Sequence, residues 1–204
     1  MDDLVTELDR RLAAADAALT ADYRGDRGVR QPVHTVYVPA DCYAANTVAD
    51  WGAQALQALD EHPEFAKELD LPDDVYDRVR GKLEREPIED LRIDFEDGYG
   101  NRPDDEEDAA AVAAAEALAK GAQAPYFGLR IKSLEAPTRR RGVRTLDLFL
   151  QHLGAIHDGF VITLPKVTSV EQVSAMVYVL ETLEQKHGLP QLKFEIQVET
   201  PQAI

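Results

Sequence analysis

Charged residues stand at every second position of the segment LRIDFED. A β-strand sends alternate side chains to opposite faces, so Arg92, Asp94 and Glu96 share one face of a predicted strand. The apolar residues between them, Ile93 and Phe95, share the other face. Two interpretations are open: an edge strand with one wet face, or a strand whose charged face lines a site.

Polar residues and prolines also mark the ends of the other predicted strands. They are Pro39 with Asp41, Glu96 with Asp97, Arg130 with Lys132, Pro165 with Lys166, and Glu199. Mg²⁺ takes one or two carboxylates and leaves its other positions to water or substrate oxygens. An arginine fork grips a carboxylate through paired hydrogen bonds. Together these groups suit a 2-oxo acid, whose enolate a metal would stabilise when a carbon–carbon bond is made or broken.

Each of these residues also has a purely structural explanation. Glu199, in the sequence ETPQ, could be the carboxylate at the start of a helix. Arg130 could be one half of a structural ion pair, and Asp97 could belong to a turn. Pro165 could simply end a strand, and Lys166 could be a surface lysine.

Five strand-like segments alternate with helix-like segments along the chain. Strands are predicted at 34–40, 91–97, 126–133, 159–167 and 192–200. Long helices are predicted at 3–22, 46–62, 104–121, 138–155 and 169–188, with shorter helices and turns over 64–86. Ser169 and Gly188 suit the two ends of the last helix, as N-cap and C-terminal glycine. The rhythm predicts parallel strands joined by crossover helices.

Two architectures fit this rhythm, an open doubly wound sheet and a (β/α)₈ barrel. Strands of an open parallel sheet are covered on both faces and are continuously apolar, whereas these strands alternate. In a barrel the apolar residues face the helices and the polar residues face the lumen, where Lys193 would join the other charges. We therefore predict an α/β protein with a (β/α)₈ TIM barrel, incomplete because only about five βα units are recognisable. The expected organisation is an N-terminal helix and loop over 1–30 and a partial barrel over 31–204, with its C-terminal strands missing.

Composition and charge narrow the function classes. The 204 residues are 45% apolar, which is sufficient for a sizeable core. The net charge of −16 repels nucleic acid and anionic membranes, so we expect neither as a partner. No apolar run is long enough to span a bilayer, and the N-terminus lacks the pattern of a secretory signal. Cys42 is the single cysteine, and we expect a cytoplasmic protein.

Five segments, taken in order, resemble the HpcH/HpaI aldolase and citrate lyase β-subunit superfamily. They are VYVPAD, RIDFEDGYG, GLRIKS, ITLPKVTSVEQV and FEIQVETPQAI, spread over residues 34–204. The chain is similar to a divergent aldolase-like member. The resemblance implies a TIM barrel, a divalent metal (Mg²⁺ or Mn²⁺) and a homo-oligomer, either a trimer or a hexamer. It also implies a small-molecule substrate, which is a 2-oxo or hydroxy acid or its CoA thioester.

The resemblance also implies roles for individual residues. Glu199, in QVETPQA, corresponds to a metal-binding glutamate, and Arg130, in LRIKS, corresponds to an arginine that binds the substrate carboxylate. The acidic motif after the second strand corresponds to Asp94, Glu96 and Asp97. The expected sets are therefore Arg130, Asp97 and Glu96 for catalysis, Arg130, Asp94, Pro165 and Lys166 for substrate binding, and Glu199 with Glu96 for the metal.

This chain departs from the superfamily pattern at three points. A second metal-binding acid belongs to a sixth strand, which the chain does not reach, so we expect an incomplete metal site. The arginine that CoA-using members carry after the first strand is missing from VPADCYAANT, and Lys132 replaces an asparagine. The expected function is a Mg²⁺-dependent carbon–carbon lyase. The alternatives are a non-catalytic barrel that binds or regulates, and a Schiff-base aldolase that uses Lys132 or Lys166.

Overall fold

A parallel sheet of five strands organises the structure, a computed structural model that describes residues 2–23, 25, 28–121 and 124–204. The chain divides into two units, Met1–Gln31 and Pro32–Ile204. The first unit contains helix α1 (Asp2–Asp22), in which no side chain is buried. Its predicted apolar side, represented by Leu4 and Leu12, is exposed.

The second unit alternates strands with helices, as the sequence predicts. The strands are β1 (Val36–Pro39), β2 (Asp90–Asp94), β3 (Tyr126–Arg130), β4 (Phe160–Leu164) and β5 (Phe194–Ile196). The helices are α2 (Thr47–Glu61), α3 (Phe65–Glu68), α4 (Asp73–Arg85), α5 (Asp104–Lys120), α6 (Arg139–Leu153) and α7 (Val170–His187), followed by a 3₁₀ turn at Pro201–Ala203. Each strand is shorter than predicted.

The strands pair in chain order, β1-β2-β3-β4-β5, and every pair is parallel. A doubly wound sheet reverses its strand order at a switch point, and the described strands contain no such reversal. Right-handed crossovers that always step in the same direction place their helices on one face of the sheet. Accordingly, α5 packs against α6 and α6 packs against α7.

The core lies between this helix layer and the apolar face of the strands. Alternate strand residues such as Ile93, Leu129 and Ile162 are fully buried there. On the helix side, α6 contributes Phe149, whose ring stacks near that of Phe160 at a centroid distance of 6.4 Å. Burial of each such side chain contributes about 1.5–3 kcal/mol to folding, so this layer fixes the orientation of β2, β3 and β4.

The ends of α7 agree only in part with the prediction. Gly188 adopts the left-handed conformation just past the helix, with φ of 66°, and its N–H binds the carbonyl of Glu184. Ser169 stands at the N-cap position with an extended backbone, but its side chain makes no capping hydrogen bond. The prediction that Ser169 is the N-cap residue is therefore confirmed, and only the side-chain hydrogen bond usual at this position is missing.

None of the helices in the described part of the chain combines the length and the apolar character that crossing a membrane requires.

Candidate functional site

One row of residues crosses the polar face of the sheet near the carboxyl ends of its strands. Pro39, Asp94, Arg130, Thr163 and Glu195 are register partners from β1 to β5. Their side chains share one face because register partners in a parallel sheet point the same way. Because the opposite face is packed against the helices, these polar side chains all lie on the other face, near the carboxyl ends of the strands.

Arg92, one layer below this row, reaches across the sheet from β2. Its Nε lies 3.2 Å from the hydroxyl of Thr163 on β4 and 3.3 Å from the Glu195 carboxylate on β5, while its Nη1 contacts Asp90. In the register, β3 places Gly128 beside Arg92, so no side chain blocks the way. Three strand spacings in a flat sheet amount to about 14 Å, so contact between β2 and β5 requires a concave polar face.

Arg130 and Asp94 form a buried, two-pronged ion pair. Arg130 Nε and Nη2 donate to the two Asp94 oxygens at 2.8 and 2.7 Å, and the backbone N–H groups of Glu96 and Gly98 donate to the same carboxylate. Burial acts to raise the pKa of Asp94, but the hydrogen bonds from Arg130 and the backbone outweigh it and hold the pKa below its usual value. Asp94 therefore positions Arg130 and the turn that follows β2.

The remainder of the Arg130 guanidinium faces other groups of the site. Its Nη1 lies 3.2 Å from Gln197 Oε1 and 3.6 Å from Glu96 Oε2. Its flat face covers the Tyr37 ring at 4.4 Å, a cation–π arrangement. Burial alone would lower the pKa of Arg130, but Asp94 raises it, so the residue stays charged.

Lys166 gathers three of the predicted acids around itself. Its Nζ contacts Glu96 Oε1 and donates to Asp97 Oδ1 at 2.8 Å, while its backbone N–H donates to Glu199 at 2.7 Å. Burial acts to lower the pKa of Lys166, but its hydrogen bonds to Asp97 and Glu96 raise it. The lysine in turn lowers the pKa of Asp97 through that hydrogen bond. Both groups are therefore charged at neutral pH.

The backbone of Lys166 is in the left-handed region, with φ of 51°. Among the described residues only Asp70 shares a positive φ without being glycine. Such a conformation costs of order 1–3 kcal/mol and persists where surrounding contacts enforce it. Here the hydrogen bond from the backbone N–H of Lys166 to Glu199 acts directly on the backbone.

A cleft of about 270 Å³ opens at this edge of the sheet. The predicted residues that line it are Glu96, Asp97 and Lys166. The remaining walls come from the loops after β2 and β3: Gly100, Asn101, Lys132, Ser133, Glu135 and Thr138. Arg130 lies beneath Glu96 and does not line the cleft. The structure thus brings Glu96, Asp97 and Lys166 together as the accessible part of the predicted site.

Lys132 is committed to structure. Its ammonium donates to the carbonyl oxygens of Phe95 and Gly100 at 2.7 and 3.0 Å, and to Glu107 at 2.9 Å. All three N–H donors are therefore used. Glu107 is fully buried and also accepts a hydrogen bond from Thr145 at 2.6 Å, so this network ties the loops after β2 and β3 to helices α5 and α6.

Two other predicted residues lie outside the cleft. Pro165 follows β4 directly and is buried. Lys193 was expected among the inward charges, but it is exposed and its nearest acid is Asp158 at 4.0 Å. That expectation is wrong because Lys193 precedes β5, at the opposite end of the strand from the site.

A larger groove, of about 740 Å³, lies elsewhere in the second unit. It runs along α4, where Val75, Val79 and Leu83 face it, together with Val33 and His34 from the segment before β1. None of the predicted site residues borders it. The groove is therefore separate from the charged cleft.

The donor chemistry of the cleft fits a hard divalent cation. Glu96 Oε2 is buried and has no hydrogen-bond partner, and Asp97 and Glu199 supply further carboxylate oxygens around Lys166. In residues 2–23, 25, 28–121 and 124–204, no three His, Cys, Asp or Glu side chains are grouped closely enough to enclose a metal by themselves. Mg²⁺ binds one or two carboxylates in proteins and completes its shell with water or substrate, so Glu96 and Glu199 are the groups that would hold it.

Several residues of the site escaped the sequence analysis. Tyr37 and Gln197 contact Arg130, and Glu107 neutralises Lys132. A signal for Glu107 was available, because it precedes Ala111 and Leu118 at helical spacing on the buried face of α5. That signal was obscured by the neighbouring acidic residues, because acidic residues in the first turn of a helix are already explained by their favourable interaction with the helix dipole.

Comparison with known families gives one match that extends over nearly the whole chain. The family model DUF6986, described as a domain of unknown function, matches residues 12–204. A search of curated proteins finds no match. The described cleft and its buried ion pairs all lie within the matched residues, and the chain belongs to the DUF6986 family.

Proposed function

We propose that this chain provides the catalytic face of a metal-dependent carbon–carbon lyase acting on a small 2-oxo or hydroxy acid. A CoA thioester of such an acid is the second form of substrate we consider. One observation carries the proposal: Glu96 contacts both Arg130 and Lys166 at the carboxyl edge of a parallel sheet. Carboxylates and cations in one cleft match the needs of an anionic substrate held beside a metal.

The finer architecture that we propose is the (β/α)₈ barrel, to which the described residues contribute four βα units and a fifth strand. Sequential strand order with helices on one face supports it, since barrels are wound in this way. The concave polar face, demonstrated by the contact between Arg92 and Glu195, supports it as well. In barrels the active site lies at the carboxyl ends of the strands, which is where the cleft opens.

In the proposed reaction, the residues of the chain bind the acid and move one proton. The Lys166 ammonium pairs with the substrate carboxylate at the cleft. Asp97, which is ionised and exposed, accepts the proton of the substrate hydroxyl group as the carbon–carbon bond breaks. The electrons of that bond pass into the neighbouring carbonyl, which leaves an aldehyde or oxo fragment and an enolate. A proton from water then quenches the enolate carbon.

A bound Mg²⁺ or Mn²⁺ would supply positive charge opposite the enolate oxygen, with Glu96 and Glu199 as the protein groups that would hold it. We also propose a cytoplasmic homo-oligomer, a trimer or hexamer, whose mass light scattering would measure.

Exchange of the pyruvate methyl protons in D₂O tests the enolate step without knowledge of the aldol partner. We expect Mg²⁺-dependent loss of the methyl signal in proton NMR, abolished by EDTA and strongly reduced in Glu96→Gln. Lys186→Gln, which removes a lysine of α7 paired with Asp147, is the matched control and should exchange normally. Absence of exchange with pyruvate and with oxaloacetate, whatever the metal, contradicts the proposal.

The geometry gives the Schiff-base alternative little support. A Schiff base requires a neutral amine, whereas Lys132 donates all three protons and the pKa of Lys166 is raised by its acidic neighbours. Borohydride trapping with pyruvate separates the two chemistries. We expect no covalent adduct, and an adduct on either lysine would replace the metal-enolate proposal.

A further inference from the structure

Helix α1 carries a long apolar stripe that is exposed. Leu8, Leu12 and Leu19 are 47%, 51% and 59% exposed, and no side chain of this helix, which the structure describes in full, is buried. The large apolar side chains of α1 all project within an arc of about 100° around the helix axis. Helices in proteins owe most of their stability to packing of such a face, so the stripe requires a partner.

The spacing of the stripe is that of a coiled-coil seam. In a heptad repeat, positions a and d are apolar and face the neighbouring helix. With the first a position at residue 5, the a positions hold Val5, Leu12 and Leu19, and the d positions hold Leu8 and Ala15. A β-branched residue at a followed by leucine at d, as in the first heptad, favours an assembly of two parallel helices.

The charges beside the seam identify both the partner and its direction. Arg11 falls at a g position on one flank, whereas Asp9 and Asp16 fall at e positions on the other flank. In a parallel pair, each g position faces the e position of the next heptad in the partner, so Arg11 of each copy meets Asp16 of the other. An antiparallel pair would instead bring the two acidic flanks together. The flanks of α1 are therefore complementary to a parallel copy of the same helix.

A membrane surface is a poorer partner for the same stripe. Helix α1 contains six acidic residues and only two arginines. Helices that lie on membranes are rich in lysine and arginine on their polar face, because the lipid surface is negatively charged. The acidic polar face of α1 would be repelled there.

We propose that α1 pairs in parallel with α1 of a second copy of this chain, through the seam over residues 5–19. The pair is symmetric, so each contact between Arg11 and Asp16 occurs twice. This inference is independent of the proposed lyase activity. Of the trimer and the hexamer proposed above, only the hexamer can be assembled from such pairs.

Sedimentation equilibrium of the full chain over a series of concentrations tests the pairing. Leu12→Glu puts a charge into the seam of both helices and should weaken the pair by about a hundredfold or more, so that the assembly falls to half its mass. Ala17→Glu adds the same charge at an f position, on the far side of α1, and should associate like the wild type. Equal weakening in the two variants overturns the inference, as does a wild type with the mass of one or three chains.

A pair of arginine variants tests the contact across the seam. Arg10 and Arg11 both donate to Glu7 within α1, through Nε at 2.8 and 2.7 Å, but Arg10 lies at an f position away from the seam. Arg11→Glu should weaken association by about three- to tenfold, because it places a carboxylate opposite Asp16. Arg10→Glu loses the same partner within the helix and should leave association nearly unchanged. Adding Asp16→Arg to Arg11→Glu should restore it.

Equal effects of Arg10→Glu and Arg11→Glu would mean that the helix alone had been weakened, and they would overturn the parallel seam. Failure of Asp16→Arg to rescue Arg11→Glu would overturn it as well.

Disulfide trapping tests the direction of the pair, in protein whose exposed Cys42 is replaced by serine. Ala15→Cys, at a d position, sets two thiols opposite each other in a parallel pair, so mild oxidation should join two chains. Ala17→Cys, two positions further on, faces away from the seam and should stay unjoined. No cross-link in Ala15→Cys, or equal cross-linking of both variants, contradicts the inference.

The pairing and the lyase fail separately, because none of these measurements requires turnover. Pyruvate exchange in a protein whose α1 does not pair retains the lyase and removes this inference. Pairing without exchange does the reverse.

Discussion

Arg130 holds Asp94 through two parallel hydrogen bonds of 2.8 and 2.7 Å, in a pair that is almost completely buried. Removing one charge from such a pair leaves the other unpaired in a medium of low polarity. Asp94→Asn is therefore expected to lower the free energy of unfolding by about 3 kcal/mol, as measured by urea denaturation.

The matched control for this change is Asp97→Asn, three positions along the chain. The Asp97 side chain is 68% exposed and its ion pair is accessible to solvent, so the loss should not exceed about 1 kcal/mol. Equal losses in the two variants would show that burial of the Arg130 pair does not matter.

Lys132→Met is expected to destabilise the protein by about 3 kcal/mol, because it leaves the buried carboxylate of Glu107 without its positively charged partner. The double variant Lys132→Met with Glu107→Gln should lose less than the single variant, since it removes the unpaired charge as well. Thermal and urea denaturation of the four proteins in this cycle measure the coupling. Additive losses would mean that the two residues do not stabilise each other.

Gly128→Ala is expected to destabilise the sheet, because a Cβ at this position would collide with the carbonyl oxygen of Val161 on the neighbouring strand. Overpacking of this kind costs about 1–3 kcal/mol. Gly81→Ala is the control: its Cβ would meet only the tip of Arg85 in α4, where alanine gains up to about 1 kcal/mol over glycine. A stable Gly128→Ala variant would indicate that β3 and β4 can separate.

Asp147 predicts a specific response to acid. Burial acts to raise its pKa, but Lys186 and His187 outweigh burial and lower it. The unfolded chain therefore takes up a proton first as the pH falls, and the stability supplied by Asp147 is lost progressively from its ordinary pKa of about 3.9 down through its lower folded-state pKa. Asp147→Asn should cost about 0.5–1 kcal/mol at pH 6 and clearly less at pH 3, by urea denaturation. An effect that persists unchanged at pH 3 would contradict this sign.

The strand pattern was predictable because period-two alternation depends only on neighbouring residues. Arg92 and Asp94 were expected to face inward, and both are buried on the polar side of the sheet. Their partners were not predictable, since Arg92 contacts Glu195, which is 103 positions away. Distances of that kind follow from curvature of the sheet, which local sequence does not encode.

The residues of the site could likewise be predicted from their positions at strand ends. Which of them pair with each other could not. Arg130 was expected to bind a substrate carboxylate, but its Nε and Nη2 donate to Asp94. Lys166 was predicted to bind substrate, with a surface position or a nucleophilic role as alternatives, and its pairing with the acids of the cleft was not foreseen. Its left-handed backbone gave no sequence signal, because glycine or asparagine would be the usual occupant.

Strict neighbour-to-neighbour pairing of β1 through β5 bears on how the protein is made. Each new strand finds its partner in the segment that left the ribosome just before it, so the sheet can grow in step with synthesis. Each strand must nevertheless wait for its crossover helix before it can pair, and parallel pairing of this kind is slow. During translation, the most recently added strand always presents an unpaired edge, and that transient edge is where a chaperone or a misfolded neighbour would attach.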